Sequence, residues 1–169
     1  MPVSIDRFAQ IKTFIFDVDG VFTDGRVYLP ESGDTYRTFN IKDSYAIAHA
    51  IKAGYRVGIV SSANSEGVRK WLMTLGVNDI FMGGPDGQKL NAYLGYISRD
   101  KLNEAEIVYM GDDLPDLPIL QRDLLSSCPA DASPELIAIC QYISPRNGGD
   151  GAVRDLIERV MRAQNTWTT

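Results

Sequence analysis

Cysteine and histidine are scarce in this sequence of 169 residues, which has two cysteines and one histidine. Cys128 and Cys140 are too few for a disulfide framework and lack the spacing of a zinc site. This composition favours a reducing compartment, and the cytoplasm is the expected location. The single histidine, His49, falls opposite the apolar positions of its predicted helix, which favours a structural role over a catalytic one.

Long apolar runs and an excess of basic residues are also missing. No stretch approaches the ~18 apolar residues that cross a bilayer, and the first residues lack the apolar core of a secretion signal, so no membrane partner is expected. The 17 Lys and Arg against 22 Asp and Glu give a net charge of −5. A nucleic-acid partner is therefore disfavoured, because binding to a phosphate backbone needs a basic surface. The length suits one domain over residues 1–169.

Strand-like and helix-like segments alternate along the whole chain. Strands are predicted at 11–16, 55–60, 80–82, 107–110, 124–127 and 142–144. Helices are predicted at 44–53 with Asp43 as the cap, and at 65–75, 88–97, 117–121, 134–139 and 151–163. This alternation is typical of a doubly wound, Rossmann-like α/β domain, a parallel sheet with helices on both faces. Residues 24–41 are predicted to form an inserted β-hairpin with strands at 26–29 and 35–41.

Polar side chains follow four of the predicted strands. In chain order they are Asp17 and Asp19, then Ser61, then Lys89, then Asp112, Asp113 and Asp116. Because ligands bind beyond the carboxyl ends of parallel strands, these side chains are expected at one rim. Clustered carboxylates repel one another unless a cation lies between them, and a small set of oxygen ligands suits Mg²⁺.

Such a set of side chains can transfer a phosphoryl group. One carboxylate attacks phosphorus and forms an aspartyl-phosphate. A second carboxylate, two residues further on, protonates the leaving oxygen and then activates water. A hydroxyl and an ammonium group hold the phosphoryl oxygens.

Four motifs of this sequence resemble those of the haloacid-dehalogenase-like phosphatases, in the same order. They are FDVDGVFTDG, the Ser61 that closes GIVSS, Lys89 and YMGDDLPD. The strings NIKDSYAI and RNGGDGAVRDLIERV are similar to a capless subgroup that acts on sugar-acid phosphates. The resemblance implies that Asp17 is the nucleophile and a Mg²⁺ ligand, and that Asp112 is the second metal carboxylate. It implies that Asp19 is the general acid and base, with a main-chain carbonyl that also binds the metal.

The resemblance implies further roles around the phosphoryl group. Ser61 and Lys89 bind the phosphoryl oxygens, while Asp113 and Asp116 hold the waters of the metal or position Lys89.

The glycine-rich tail near the end of the chain is also part of the resemblance. In relatives, the tail that corresponds to Gly148, Gly149 and Gly151 reaches the active site of a neighbouring subunit. Gly148, Gly149 and Arg146 are therefore candidate substrate-binding residues.

Two departures from the subgroup leave open which residue binds the carboxylate of the sugar. Relatives often have Thr-Gly-Arg where this chain has Ser-Ser-Ala at 61–63, and some carry a basic residue where this chain has Asp150. The candidates for this role are Arg146 and, from another subunit, Arg26, Arg37 or Arg69.

The spacing of the motifs supports the capless assignment. Asp17 and Ser61 are 44 positions apart, and Ser61 and Lys89 are 28 apart. Neither interval has room for a cap, because even a small domain needs about 50 residues. A small phosphate ester still needs a covered pocket. Neighbouring subunits are therefore expected to cover it, and the resemblance implies a homotetramer in which the hairpins pack together.

The resemblance implies Mg²⁺-dependent hydrolysis of 3-deoxy-D-manno-octulosonate 8-phosphate, a reaction that serves lipopolysaccharide assembly. A nine-carbon keto-deoxy-nononate or sialic-acid 9-phosphate is the alternative, since one extra carbon changes binding by only about 1–3 kcal/mol. A receiver-type phosphoacceptor domain is a remote alternative, because its acceptor stands alone at the end of the third strand. A non-catalytic family member is disfavoured because the motif residues are intact.

Overall fold

A six-stranded parallel sheet forms the centre of the computed structural model, which describes residues 4–83 and 89–168. The strands are β1 (Thr13–Phe16), β2 (Arg56–Ser61), β3 (Asp79–Met82), β4 (Ile107–Met110), β5 (Leu125–Cys128) and β6 (Tyr142–Ile143). They lie in the order β3-β2-β1-β4-β5-β6, and every neighbouring pair is parallel. The predicted doubly wound α/β fold is therefore confirmed.

Seven helices are described around this sheet. They are α1 (Ile5–Ala9), α2 (Ile41–Lys52), α3 (Glu66–Thr74), α4 (Lys89–Asp100), α5 (Leu117–Leu120), α6 (Pro134–Ile139) and α7 (Ala152–Ala163). Helix α1 was not predicted, and the other elements begin and end within three residues of their predicted bounds. Gln88, the predicted start of α4, lies outside the described residues.

The apolar core is divided between the two faces of the sheet. The β1 side chains alternate, so that Phe14 and Phe16 pack on the face covered by α1, α2, α3 and α7, and Ile15 packs on the face covered by α4, α5 and α6. Phe16 lies beside Ile59 of β2 and Met110 of β4. The residue that follows β1 therefore emerges at the middle of the sheet, with a strand on either side.

The segment 24–41 forms much less of a hairpin than predicted. Its only described ladder pair is Tyr28 with Tyr36, whose backbones exchange two hydrogen bonds of 3.0 and 3.1 Å. The next pair on one side would include Pro30, which has no N–H to donate. On the other side, the N–H of Arg26 donates to the carboxylate of Asp24 instead. The predicted antiparallel pairing is therefore present at one residue pair, whereas regular strands over 26–29 and 35–41 do not form.

The start of α2 also differs from the prediction, because Asn40 is the N-cap and not Asp43. Asn40 Oδ1 accepts from the N–H of Lys42 at 2.9 Å. Asp43 lies fully buried in the first turn, and its Oδ1 accepts from the N–H of Arg154 at 2.8 Å. Asp43 therefore joins the beginning of α2 to the beginning of α7.

The stability of the fold should depend on pH through Asp43. Burial raises the pKa of Asp43 from 3.8 to about 6, against hydrogen bonds from the backbone of Arg154 and Gly151 and the charge of Arg154, while Asp150 raises it further. The folded state therefore holds this proton more tightly than the unfolded state. Asp43 therefore stabilises the folded state most below pH 4, and this stabilisation is lost as the pH rises through about 6.

Asp43→Asn keeps the acceptor oxygen and mimics the protonated form. The free energy of unfolding of the variant, relative to the unaltered protein, should rise by about 2 kcal/mol between pH 4 and pH 7. Urea unfolding at both pH values measures this difference. Asp123→Asn, at an exposed position, is the control and should show no such change. An equal difference at both pH values for Asp43→Asn would contradict the prediction.

No separate folded unit lies between β1 and β2, where the chain forms a loop, α2 and a short turn. This agrees with the capless assignment. Among the described residues, no helix combines the length and the apolar character needed to span a bilayer.

Candidate active site

Asp17 marks the centre of a polar rim at the carboxyl ends of the strands. Its N–H donates to the carbonyl of Met110 at 3.0 Å and extends the β1–β4 ladder by one residue. The side chain is buried, and its Oδ2 lies 2.9 Å from Lys89 Nζ. The backbone hydrogen bond to β4 thus fixes the position of Asp17 at the edge of the sheet, and the ammonium group of Lys89 holds one of its carboxylate oxygens.

Lys89 lies at the first position of α4 and is buried between two carboxylates. Its Nζ is 2.6 Å from Asp116 Oδ1 as well as 2.9 Å from Asp17 Oδ2. Burial lowers the pKa of Lys89, but the charges of Asp17 and Asp116 outweigh burial and raise it above its usual value. Lys89 is therefore a buried cation held in one orientation.

Both carboxylate oxygens of Asp116 have protein partners. Oδ1 accepts from the hydroxyl of Tyr109 at 2.6 Å in addition to Lys89, and Oδ2 accepts from the N–H of Asp112 at 3.2 Å. A Cβ at Gly111 would come within 2.3 Å of the Asp116 carboxyl carbon, so only glycine fits there. These contacts suit Asp116 to positioning Lys89.

Three carboxylates offer oxygens within 4.8 Å of one another, from Asp17, Asp112 and Asp116. Asp17 Oδ1 is buried and has no hydrogen-bond partner. Burial and the charge of Asp116 raise the pKa of Asp17 to about 6. Burial and the charges of Asp17 and Asp116 raise the pKa of Asp112 to about 8. This crowding of negative charge with one unsatisfied oxygen fits a divalent cation between Asp17 and Asp112.

All seven of the predicted phosphoryl-site and metal-site residues line one cavity of about 270 Å³. They are Asp17, Asp19, Ser61, Lys89, Asp112, Asp113 and Asp116. Ser61 is buried at the end of β2, and Asp113 is exposed at the start of the turn Leu114–Asp116. The structure therefore brings together the residues that the motifs placed at four separate strand ends.

Asp19 lies at the edge of this cavity, where an arginine of its own chain holds it. Arg37 Nε donates to Asp19 Oδ1 at 2.6 Å, and Arg37 Nη2 donates to Asp19 Oδ2 at 3.1 Å. Sequence reasoning considered Arg37 only as a residue supplied by another subunit. The structure shows that Arg37 contacts the candidate acid and base of the same chain.

The glycine-rich tail packs on its own chain. Gly149 N–H donates to the carbonyl of Val21 at 3.0 Å, and Gly148 N–H donates to Asp131 Oδ1 at 2.9 Å. These hydrogen bonds join the tail to its own chain, and its reach toward a neighbouring subunit stays a prediction. Its backbone supports the loop that follows Asp19, and direct substrate binding by Gly148 and Gly149 stays a prediction.

Arg146 is the one predicted site residue with a side chain in a different depression. It lines a polar cleft of about 410 Å³ beside the beginnings of α2 and α7, together with Lys42, Asp150 and Arg154. This cleft does not include Asp17 or Lys89 among its lining residues. Substrate binding by Arg146 stays a prediction.

Gly148→Ala should disturb the loop that carries Asp19. A Cβ at Gly148 would lie 1.9 Å from the carbonyl oxygen of Gly20 and 2.9 Å from that of Thr23, and both are backbone atoms that move only with the loop. We expect a loss of about 1–3 kcal/mol in unfolding free energy and a clear fall in kcat.

Thermal unfolding and steady-state kinetics test both effects of Gly148→Ala. Gly95→Ala is the matched control, because a Cβ there meets nothing within 4 Å and lies on an exposed position of α4. That control should gain up to about 1 kcal/mol of stability and keep its activity. An unchanged stability and kcat in Gly148→Ala would contradict the packing role.

Nothing in the sequence indicates a role for Tyr109 or the contact between Arg37 and Asp19 within one chain. Tyr109 lies inside β4, where an apolar run gave no signal for a hydroxyl that orients Asp116. Arg37 is one of several arginines in a polar segment, and its pairing with Asp19 depends on how that segment folds back. Neither contact has a signature in local spacing.

Comparison with known proteins gives the same family as the motifs. Residues 78–156 match the sequence profile of the haloacid dehalogenase-like hydrolases. The 3-deoxy-D-manno-octulosonate 8-phosphate phosphatase of Escherichia coli K12 is 34% identical over 166 residues, covering 96% of this chain and 87% of that protein.

Solved structures agree over the same length. The crystal structure of the phosphatase of the same name from Yersinia pestis has a TM-score of 0.91 and 33% identity, covering 96% of this chain and 86% of that chain. The Moraxella catarrhalis phosphatase, solved with a magnesium ion, a phosphate ion and KDO, has a TM-score of 0.89 and 28% identity, covering 95% and 91%. With this agreement over nearly its whole length, the chain belongs to the haloacid dehalogenase-like hydrolases, as a relative of the 3-deoxy-D-manno-octulosonate 8-phosphate phosphatases.

Proposed function

We propose that this protein is a Mg²⁺-dependent phosphatase that converts 3-deoxy-D-manno-octulosonate 8-phosphate into the free sugar acid and phosphate. The observation that carries the proposal is the carboxylate of Asp17. It is buried at the end of the central strand, with Lys89 2.9 Å from one oxygen and no partner on the other. The relationship to phosphatases of this sugar acid over 96% of the chain supports the substrate.

Asp17 and Asp112 would hold the metal through their carboxylates, with the main-chain carbonyl of Asp19 as a further ligand. When bound there, Mg²⁺ neutralises charge on the phosphoryl oxygens and so lowers the barrier to attack by an anion. Asp113 would hold waters of the metal, and Asp116 would position Lys89.

In the first half of the reaction, an Asp17 oxygen attacks phosphorus. The bond between phosphorus and the sugar oxygen breaks, and Asp19 gives its proton to that leaving oxygen. Lys89 and Ser61 hold the phosphoryl oxygens by hydrogen bonds that strengthen as charge develops. The products of this half are the free sugar acid and a phosphoryl group on Asp17.

In the second half, Asp19 acts as a base. It takes a proton from a water whose oxygen attacks phosphorus, the bond between phosphorus and Asp17 breaks, and phosphate leaves. Asp19 has then regained the proton that it gave away, so the enzyme returns to its starting state.

We further propose that residues 1–169 form one domain and that this domain assembles as a homotetramer. Large apolar side chains are exposed along the segment 24–41 and the adjoining α2, among them Tyr28 at 71%, Leu29 at 70% and Ile41 at 83%. Apolar patches of this kind usually mark an interface. A second copy of the chain is the occupant that would also cover the cavity. Sedimentation analysis measures the assembly, and a monomer at micromolar concentration would contradict it.

A cytoplasmic location is also part of the proposal. Cys128 is buried, Cys140 is partly buried, and both are free thiols. Free thiols in a protein of this size suit a reducing compartment.

Release of phosphate from the eight-carbon and nine-carbon sugar-acid phosphates, with Mg²⁺ present, tests the substrate. The Asp17→Asn variant serves as the blank. A clear preference in kcat/KM for the eight-carbon ester is the expected result. Preference for the nine-carbon ester would keep the mechanism and change the substrate, while turnover of neither would contradict the sugar-acid assignment.

A further inference from the structure

Arg37 is a built-in cation at the rim of the active site. Its guanidinium donates hydrogen bonds to both carboxylate oxygens of Asp19, and Nη1 also donates to Thr35 Oγ1 at 3.2 Å. The Arg37 side chain is only 11% exposed, whereas Arg26 of the same segment is 90% exposed. A planar fork on a carboxylate in a largely covered position is a geometrically specific arrangement.

The pairing of Arg37 with Asp19 conflicts with the role of Asp19 in the proposed mechanism. One oxygen of Asp19 must face the leaving oxygen of the sugar, and later the attacking water. Both oxygens are occupied by Arg37 in the structure. Each carboxylate oxygen can accept a second hydrogen bond, but the fork fixes the plane of the Asp19 carboxylate. We therefore expect the fork to open on at least one side when Asp19 turns to the substrate. A largely covered guanidinium is costly to leave without an anion, so another anion has to take the place of Asp19.

Resting on the proposed function, we infer that Arg37 receives the carboxylate of the sugar-acid substrate. The substrate carries two anionic groups. The phosphoryl group has Ser61, Lys89 and the metal site, while the carboxylate lacks an assigned partner. A substrate carboxylate matches the geometry in which Arg37 already holds Asp19. On binding, it replaces Asp19 on the guanidinium, and Asp19 turns to the phosphoester.

This exchange makes Arg37 a specificity-determining residue that acts on turnover as well as on binding. When a sugar phosphate lacks a carboxylate, Arg37 stays paired with Asp19. Asp19 is then not released to act as the acid and base.

Two of the other candidate arginines for this role are placed differently. Arg146 lines a different cleft and not the cavity of the active site. Arg69 lines a depression that shares Ser61 and Lys89 with that cavity, but its guanidinium donates to the carbonyl of Ile80 at 3.1 Å and is not paired with the candidate acid and base.

Steady-state kinetics with two matched substrates test the inference. One is the sugar-acid phosphate, and the other is the same ester with its carboxylate converted to a primary amide. The unaltered protein should prefer the acid by roughly 10- to 100-fold in kcat/KM, with part of the difference in kcat. Arg37→Gln should remove most of that preference, and Arg37→Lys should keep a fraction of it. Arg162→Gln, at an exposed position near the end of α7, is the control and should leave the preference unchanged.

A binding measurement separates this role from simple support of Asp19. In the inactive Asp17→Asn background, Arg37→Gln should weaken binding of the free sugar acid by roughly 10-fold or more and leave binding of its amide unchanged.

An equal loss on acid and amide, in kinetics and in binding, would overturn the inference and leave Arg37 as a positioning residue for Asp19. Failure of the unaltered protein to hydrolyse the sugar-acid phosphate, with turnover of another phosphate ester, would instead overturn the proposed function and this inference with it.

Discussion

Asp17→Asn is expected to lower phosphate release by at least roughly a thousandfold while the protein stays folded. The substitution removes the oxygen that attacks phosphorus, and no neighbouring group replaces it at the end of β1. Folding should be preserved because the buried Asp17 is crowded by Asp112 and Asp116, so loss of its charge relieves repulsion. Lys89 keeps Asp116 as its partner.

The assay compares Mg²⁺-dependent phosphate release and thermal unfolding. Asp34→Asn, at an exposed position in the segment 24–41, is the control and should behave as the unaltered protein does. Acid quenching during turnover followed by mass spectrometry should find a phosphoryl group on the peptide that contains Asp17, and only in the active protein. Turnover within tenfold of normal in Asp17→Asn would rule out Asp17 as the nucleophile.

Lys89→Met should combine a large loss of activity with a large loss of stability. The substitution leaves Asp17 and Asp116 buried without the ammonium group that lies 2.9 and 2.6 Å from their oxygens. Removing one partner of a buried ionic group typically costs about 3–5 kcal/mol. The loss of a cation that holds the phosphoryl group should lower kcat/KM by roughly a hundredfold or more.

A second substitution separates the two effects of Lys89→Met. Adding Asp116→Asn removes one of the two unpaired charges but keeps an acceptor for Tyr109, so the double variant should recover stability and not activity. Lys70→Met is the control, because Lys70 is exposed and pairs with Glu66 on the surface of α3. This substitution should change stability by less than about 0.5 kcal/mol. Lys89→Met with unchanged stability, or recovery of activity in the double variant, would contradict the assigned role.

The sequence alone determined the sheet and the rim. Short β-branched segments that alternate with helical ones allow one arrangement of layers, and the side chains that follow parallel strands must meet at one edge. The motif residues Asp17, Ser61, Lys89 and Asp112 could therefore be placed together before the fold was known.

The tertiary structure decided the contacts between segments that are distant in the chain. The sequence predicts Asp43 as the cap of its own helix, yet its carboxylate accepts a hydrogen bond from the backbone of α7, more than a hundred residues later. The tail glycines pack against the loop after Asp19, and Arg37 folds back onto Asp19. The spacing of apolar residues along the chain predicts which helices and strands form, because their periods involve only neighbouring residues. The pairing of polar groups from distant segments depends on how the helices and the sheet pack against each other. Only the packed fold fixes the distances between those groups.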